Sequence, residues 1–486
     1  MRTIGHLRSL KRRLKIAING YIRTLLVSTT VIAVVRKLLR PFPSAEETVG
    51  VWIYFLKKKL VRSNVPIIYV KNTQTQLSMA PSEYQLLVDI SELVLHDVHT
   101  GVQRVVRSIL LELLLRPPVG YKVKAIYADA AGQLRYAQKF SSILLESANT
   151  DAEDSVVTVQ PGDIFYCPDP HLSYPFATLA ALQQRGLRII FVIHDICAFN
   201  QGAYFPRTYE LTFADWFAGV IEMSDGIICV SRAVADEVCA WLHDHPGQRH
   251  RPLPIGFVHN GADIEASQPT QGLEGEGAEV LAACHSRPTL LMVGTLEPRK
   301  GHAQALAAVE ALWQAGVDLN LVIIGKEGWR TQQLARQLRR HPERNRRLYW
   351  LEGASDTLLL QLYARASALL AASLAEGFGL PLIEAAHYGL PIIARDIPVF
   401  HEVAGDHAFY FQGENPEALS EAIRCWLTLY AEGKAPPSAD LPWLTWAQST
   451  QQLLQVILRE DWYTTYQPRA TFRNTANNSA PARSQL

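Results

Sequence analysis

At 486 residues the chain is too long for one hydrophobic core, so at least two domains are required; 48% hydrophobic residues and a mean hydropathy of +0.01 are ordinary for globular domains. The six cysteines form no C-x-x-C pair and mostly sit in apolar runs, which excludes a disulfide scaffold and reads as buried thiols in a reducing cytoplasm. The net charge of +1 conceals an asymmetry: residues 1–63 hold fourteen Lys and Arg against two Glu, a balance of +12 that leaves the remainder at −11.

In that basic segment the interleaved runs (Ile16-Ala-Ile, Tyr21-Ile, Leu25-Leu-Val, Val31 to Val35) are chiefly aliphatic and not the base-stacking aromatics of a nucleic-acid surface, which argues against nucleic-acid binding. Only the twelve residues Thr24–Val35 are free of charge between Arg23 and Arg36, short of the roughly 20 that a spanning helix needs. No small-residue cleavage site of a signal peptide is evident. The segment therefore reads as an amphipathic anchor on an anionic membrane surface, with a solvated basic extension as the alternative.

Order is expected from about Val65-Pro-Ile-Ile-Tyr-Val70 and clearly from Tyr84 to Asp89. Strand-like runs follow at Tyr121–Tyr127, Asp163–Tyr166, Arg188–Ile193 and Gly226–Val230, each succeeded by a polar or helix-starting stretch. Ser231 is placed to cap a helix over 232–242. The polar, Gly-rich stretch 266–279 reads as the start of a linker reaching residue 287. Its Gly275-Glu-Gly277 follows no strand, so it is not a dinucleotide fingerprint. The alternation restarts with strands at 289–294, 320–325, 348–351, 368–371 and 391–394, with helices at 303–315 and 357–366 between them. A closing helix is expected over 444–458 and a disordered tail from Pro468. The fold class is α/β: a basic extension (1–63), a first Rossmann-like domain (64–265), a linker (266–287), a second Rossmann-like domain (288–440), and a closing segment (441–467) before the tail (468–486).

Two loops of the second half carry chemistry. Gly294-Thr295-Leu-Glu-Pro-Arg299-Lys300-Gly301 joins a strand to a helix, where a doubly wound sheet borders its ligand crevice. Basic residues are disfavoured at a helix start, so Arg299 and Lys300 point to an anionic ligand, with a solvated Arg-Lys pair as the bland reading. Ser373-Leu-Ala-Glu376-Gly377-Phe378-Gly379-Leu380-Pro381-Leu-Ile-Glu384-Ala385 puts two carboxylates eight positions apart around a glycine turn that opens a helix. Such a turn lets backbone N–H groups approach a phosphate.

With Lys326 after Gly325, and Gly353 ahead of a helix near Asp356, these motifs resemble the C-terminal domain of retaining GT-B glycosyltransferases of family 4, the group 1 glycosyltransferases of polysaccharide-biosynthesis type. The resemblance implies two Rossmann-like domains facing across a cleft. It implies a donor site of Gly294, Thr295, Arg299, Lys300, Gly325, Lys326, Gly353, Glu376, Gly377, Phe378, Gly379, Leu380 and Glu384. Within that site Glu376 meets the donor sugar, Glu384 the nucleoside ribose, and Arg299 and Lys300 the diphosphate.

The first half is less close to the family pattern. Thr100-Gly101-Val-Gln103-Arg104 keeps one glycine of the family's glycine loop, so Gly101 and Gln103 are candidates for a phosphate or acceptor loop, against a plain helix-entry glycine. By the same resemblance His194, at the end of the most hydrophobic strand, joins the sugar-proximal site, while a satisfied strand-end histidine is the alternative; Asp195 orients His194 or its loop. The catalytic set implied is Glu376, His194, Arg299 and Lys300. His243, His245 and His250 lie in a polar loop without support as metal ligands, and there is no Asp-x-Asp, so neither a metal nor another cofactor is expected.

The function expected is transfer of a hexose, possibly mannose, from a nucleotide diphosphate sugar to a glycan or lipid-linked glycan, at the cytoplasmic face of the inner membrane. A GT-B sugar-nucleotide epimerase and a catalytically silent nucleotide-sugar scaffold are the alternatives. Nothing in the residues names the base, the sugar or the acceptor.

Overall fold

The computed structural model describes residues 83–97, 100–146, 153–264 and 275–468, together with Glu47, Gly50, Val51, Ile53, Tyr54 and Phe55. Apart from those six residues, the basic extension 1–63 read as a membrane anchor, with the expected start of order at 65–70 and the tail beyond Pro468, lies outside the described residues. Among the described residues no helix is long and apolar enough to cross a membrane.

Among the described residues, fourteen strands form two sheets. β1 (Tyr84–Asp89), β2 (Tyr121–Ala128), β3 (Leu134–Tyr136), β4 (Ile164–Cys167), β5 (Arg188–Ile193), β6 (Gly226–Cys229) and β7 (Leu253–Phe257) build the first. β8 (Thr289–Val293), β9 (Asn320–Ile324), β10 (Leu348–Leu351), β11 (Ala368–Ala371), β12 (Ile392–Arg395) and β13 (Phe409–Phe411) build the second. β14 (Thr464–Tyr466) returns to the first sheet, antiparallel to β7, giving the orders β14-β7-β6-β5-β4-β1-β2-β3 and β10-β9-β8-β11-β12-β13.

Apart from the β2–β3 and β7–β14 pairs, all strand pairs are parallel. Their continuous Leu, Ile and Val runs are buried on both faces by helices, as parallel sheets require. Each sheet reverses its strand order once, between β1 and β4 in the first and between β8 and β11 in the second. Loops at such a reversal diverge and leave a crevice at the carboxyl ends of the strands. The two Rossmann-like sheets expected from the resemblance are thus present.

Three differences from the sequence reading have physical causes. Residues Gly275–Ser286, expected in the linker, form a helix. Its two glycines hide the apolar pattern, but Val280 and Cys284 are buried, and Gly277 lets the helix approach Leu358, 3.0 Å from where a Cβ would stand. The closing helix expected over 444–458 is present as Trp446–Arg459, but it is followed by the unexpected strand β14, which the chain reaches through Trp462, lying over Gly226 and Gly256 of the first sheet. The described part of the basic extension is docked as well. Glu47 accepts hydrogen bonds from Arg207 N and from Arg330 Nη2, each at 2.8 Å, Tyr54 donates to Asp215, and Ile53 is buried.

Candidate donor site

The site begins with the two loops at the β8/β11 reversal. Pro298–Lys300 make a single 3-10 turn that ends at Gly301, with φ of 74°. A Cβ there would also run into Ala372 O, so glycine alone permits this close approach of the two loops. Leu374 N donates to Arg299 O at 2.7 Å and straps the loops together. Next to them, Leu296 N donates to Lys326 O at 2.9 Å, bringing the Gly294-Thr295 and Gly325-Lys326 turns side by side.

Glu376 is the centre of the charge arrangement. Its carboxylate meets Lys300 Nζ and Ser373 Oγ (2.7 Å) on one oxygen and Arg299 Nη1 (3.2 Å) on the other. Arg299 also donates to Ala375 O at 2.9 Å, and its Nε lies 2.9 Å from Glu297 Oε2. Burial alone would raise the Glu376 carboxyl. The charges of Lys300 and Arg299, with the hydrogen bonds from Lys300 and Ser373, hold it instead at about 2. Behind it a cavity of about 20 Å³ is lined by Lys300, His302, Ser373 and Glu376. Burial, with Lys300 nearby, drives His302 down to about 3, so this imidazole is neutral.

Past Glu376 the chain turns through Gly377, Phe378 and Gly379 into the helix Leu380–His387. Gly379 has a φ of 96°, and Phe378 is buried. Gly377 packs on His194 O of the first domain so closely that no Cβ fits, and its carbonyl accepts Ser231 Oγ at 2.7 Å. The structure therefore brings the main chain of His194 against the turn that follows Glu376. His194 Nε2 is 2.8 Å from Pro168 O. Because a carbonyl only accepts, the neutral ring carries its proton on Nε2, and burial lowers its pKa to favour that neutral form. Asp195 accepts from Cys197 N at 3.0 Å, so it shapes the loop.

Glu384, one helical stretch further on, has only 4% of its side chain exposed. Its oxygens accept Arg104 Nη1 and the Tyr363 hydroxyl, each at 2.7 Å. Arg104 Nη2 also reaches Asp356, again at 2.7 Å. Gly101 opens the helix Gly101–Leu115 and faces Leu380, which would stand 3.6 Å from a Cβ. Two helix N-termini therefore meet across the cleft.

Some expected residues play other parts. Gln103 is a capping residue: its side chain accepts Thr100 N at 3.2 Å and donates to His96 O at 2.6 Å, inside its own domain. Gly353 stands in a turn with open space around it. Sequence reasoning missed Arg104, Glu402 and Trp329. Glu402, in the second domain, accepts from Arg232 N, Ala233 N and His259 Nε2, all at 2.7 Å, and so caps a helix of the first. Trp329 Nε1 donates to Tyr204 O at 3.0 Å and its ring stacks on Tyr209. A larger open groove of about 730 Å³, lined by Trp313, Arg336, Arg340 and His341 among others, contains no residue of the two motif loops.

Residues 278–435 match the family described as glycosyl transferases group 1. Over 379 residues the chain is 43% identical to the serotype-specific mannosyltransferase WbdA of Escherichia coli, covering 76% of this chain and 44% of that protein. The chain thus spans less than half the length of that relative. It is also 33% identical over 306 residues to glycogen synthase of Mycobacterium tuberculosis, covering 60% of this chain and 68% of that one. In architecture it is similar to the GT-B catalytic domain of starch synthase IV from Arabidopsis thaliana bound to ADP and acarbose, with a TM-score of 0.51 at 16% identity, over 78% of this chain and 99% of that chain.

The depressed pKa of Glu376 has a consequence for acid stability. A carboxyl held at about 2 against an ordinary 4.5 stabilises the fold above pH 4.5 and loses that contribution as the pH falls towards 2. Lys300→Met removes the strongest charge that holds it down. Acid unfolding, followed by circular dichroism, should then move up by about one pH unit; superimposable acid transitions would show that the pair does not set this pKa.

Proposed function

The chain belongs to the group 1 glycosyltransferases, and from that premise we propose that it moves a hexose, mannose in our reading, from a nucleotide diphosphate sugar to a hydroxyl of a glycan or lipid-linked glycan, retaining the anomeric configuration, in polysaccharide biosynthesis. The observation that carries this reading is the Arg299-Lys300-Glu376 cluster at the β8/β11 reversal, followed directly by Gly377, which packs on the His194 carbonyl of the opposite domain. The choice of mannose leans on the name of the 43% identical relative.

In this reading the donor's diphosphate lies by Arg299 and Lys300 and the backbone N–H groups near Phe378, Gly379 and Leu380, at the positive end of the helix dipole. These groups act when the nucleoside diphosphate departs and negative charge grows on its β-phosphate. They are held in place beforehand by Glu376 and the loop strap, so little reorganisation accompanies the reaction. Glu376 positions the sugar. The departing phosphate accepts the acceptor's proton as the new glycosidic bond forms on the same face of the sugar. Neutral His194, its Nε2–H held by Pro168 O, is assigned to the sugar-proximal side by the family resemblance. Glu384 takes the ribose hydroxyls. Positive protein charge serves in place of a metal ion.

Lys300→Ala should lower transfer by about 10²-fold or more, assayed with GDP-mannose and with UDP- and dTDP-hexoses. Transfer at near-normal rate by a folded variant rejects the donor-site assignment. Inversion at C2 without an acceptor in the wild type would favour an epimerase instead.

We further propose that the basic segment 1–63 holds the enzyme on the cytoplasmic face of the inner membrane, close to a lipid-linked acceptor. Full-length protein should sediment with anionic liposomes, and deletion of residues 1–45 should release it; unchanged sedimentation rejects the anchor.

A further inference from the structure

Arg104 extends from the first domain to two carboxylates of the second, and it holds them with different nitrogens: Nη1 on Glu384 and Nη2 on Asp356, both at 2.7 Å. The contacts span 280 and 252 residues of sequence. The three side chains differ in exposure. Glu384 is 4% exposed, whereas Arg104 and Asp356 are 22% and 21% exposed. Tyr363, the other partner of Glu384, is 1% exposed and lies beneath it.

A sugar hydroxyl can reach Glu384 only if one of the groups covering it moves. Tyr363 is locked in the core of its own domain. Arg104 is at the surface of the cleft, on a long side chain from another domain, and keeps a second carboxylate within reach. A guanidinium can release one acceptor and retain the other, because its N–H groups point in fixed and separate directions. Loss of the Arg104 contact would strand a buried carboxylate unless new donors replace it. The vicinal hydroxyls of a ribose are such donors.

We propose that Arg104 is a positioning residue for the donor: it covers Glu384, yields that carboxylate to the ribose hydroxyls, and keeps its hold on Asp356, so that filling the ribose site and keeping the cleft closed are linked through one side chain. This rests on the reading of Glu384 as the ribose residue. Loss of Arg104 then acts in opposite directions on binding and on turnover. The nucleotide no longer displaces a competing cation, and the closed cleft loses a clasp.

The test is calorimetric titration of the full chain with GDP, UDP, ADP and their 2′-deoxy counterparts, paired with transfer kinetics, for wild type, Arg104→Gln, Asp356→Asn and Glu384→Gln. Arg104→Gln should bind the preferred nucleotide at least as tightly as wild type while kcat falls about fivefold or more. Asp356→Asn should show the fall in kcat with unchanged affinity, and it strands no buried charge if Arg104→Gln folds poorly. Weaker nucleotide binding in Arg104→Gln, or an unchanged kcat in both variants, overturns the proposal. The premise is checked separately: Glu384→Gln should lose affinity and the preference for ribose over 2′-deoxyribose. If it keeps both, the ribose reading fails, and the exchange at Glu384 with it.

Discussion

An ionised carboxylate cannot remain buried alone, and the geometry of the second domain is organised around that constraint at Glu376. With 12% of its side chain exposed, Glu376 stays charged because Lys300, Arg299 and Ser373 converge on it. That convergence needs the β8 and β11 loops in contact. Gly301 makes the approach sterically possible, and the Leu374–Arg299 backbone hydrogen bond fixes its register. The cations are thereby fixed at the edge of the crevice before any anion arrives. In the proposed transfer, this arrangement supplies the electrostatic preorganisation for a departing phosphate.

The same constraint acts across the cleft. Glu384 is paired with Arg104, and Glu402 caps a helix of the opposite domain, so buried acids of the second domain are satisfied by donors of the first. Ser231 on the Gly377 carbonyl and Trp329 on the Tyr204 carbonyl add neutral contacts between the domains. In the proposed reading, ligand entry exchanges hydrogen bonds that already exist. The cost of opening such contacts is one that a ligand meets by supplying equivalent partners, as hydroxyls and phosphates do.

How much of this was legible in the sequence follows from the range of each interaction. Strands β5, β10 and β11 match their sequence bounds because buried parallel strands are continuous apolar runs. The Arg299-Lys300 and Glu376-to-Glu384 motifs are local, and each can be placed after a strand and before a helix. Arg104 was visible only as part of a glycine loop, because its partners are more than 250 residues away. Gln103, next to it, was read as a ligand residue but closes a capping box; Thr-x-x-Gln at residues 100–103 was the available signal. The helix at Gly275–Ser286 was hidden by its glycines, and the return of β14 to the first sheet depends on Trp462 filling space over two distant glycines, which no local pattern records.

In the proposed function, the crevice at the β8/β11 reversal holds the diphosphate of a nucleotide sugar. The most direct measurement is a crystal structure of the full chain with a nucleoside diphosphate bound. The β-phosphate is expected on Arg299 and Lys300, beside the N–H groups that open the Leu380–His387 helix, and the ribose on Glu384. A nucleotide seated elsewhere, with the Lys300–Glu376 cluster unengaged, would contradict it.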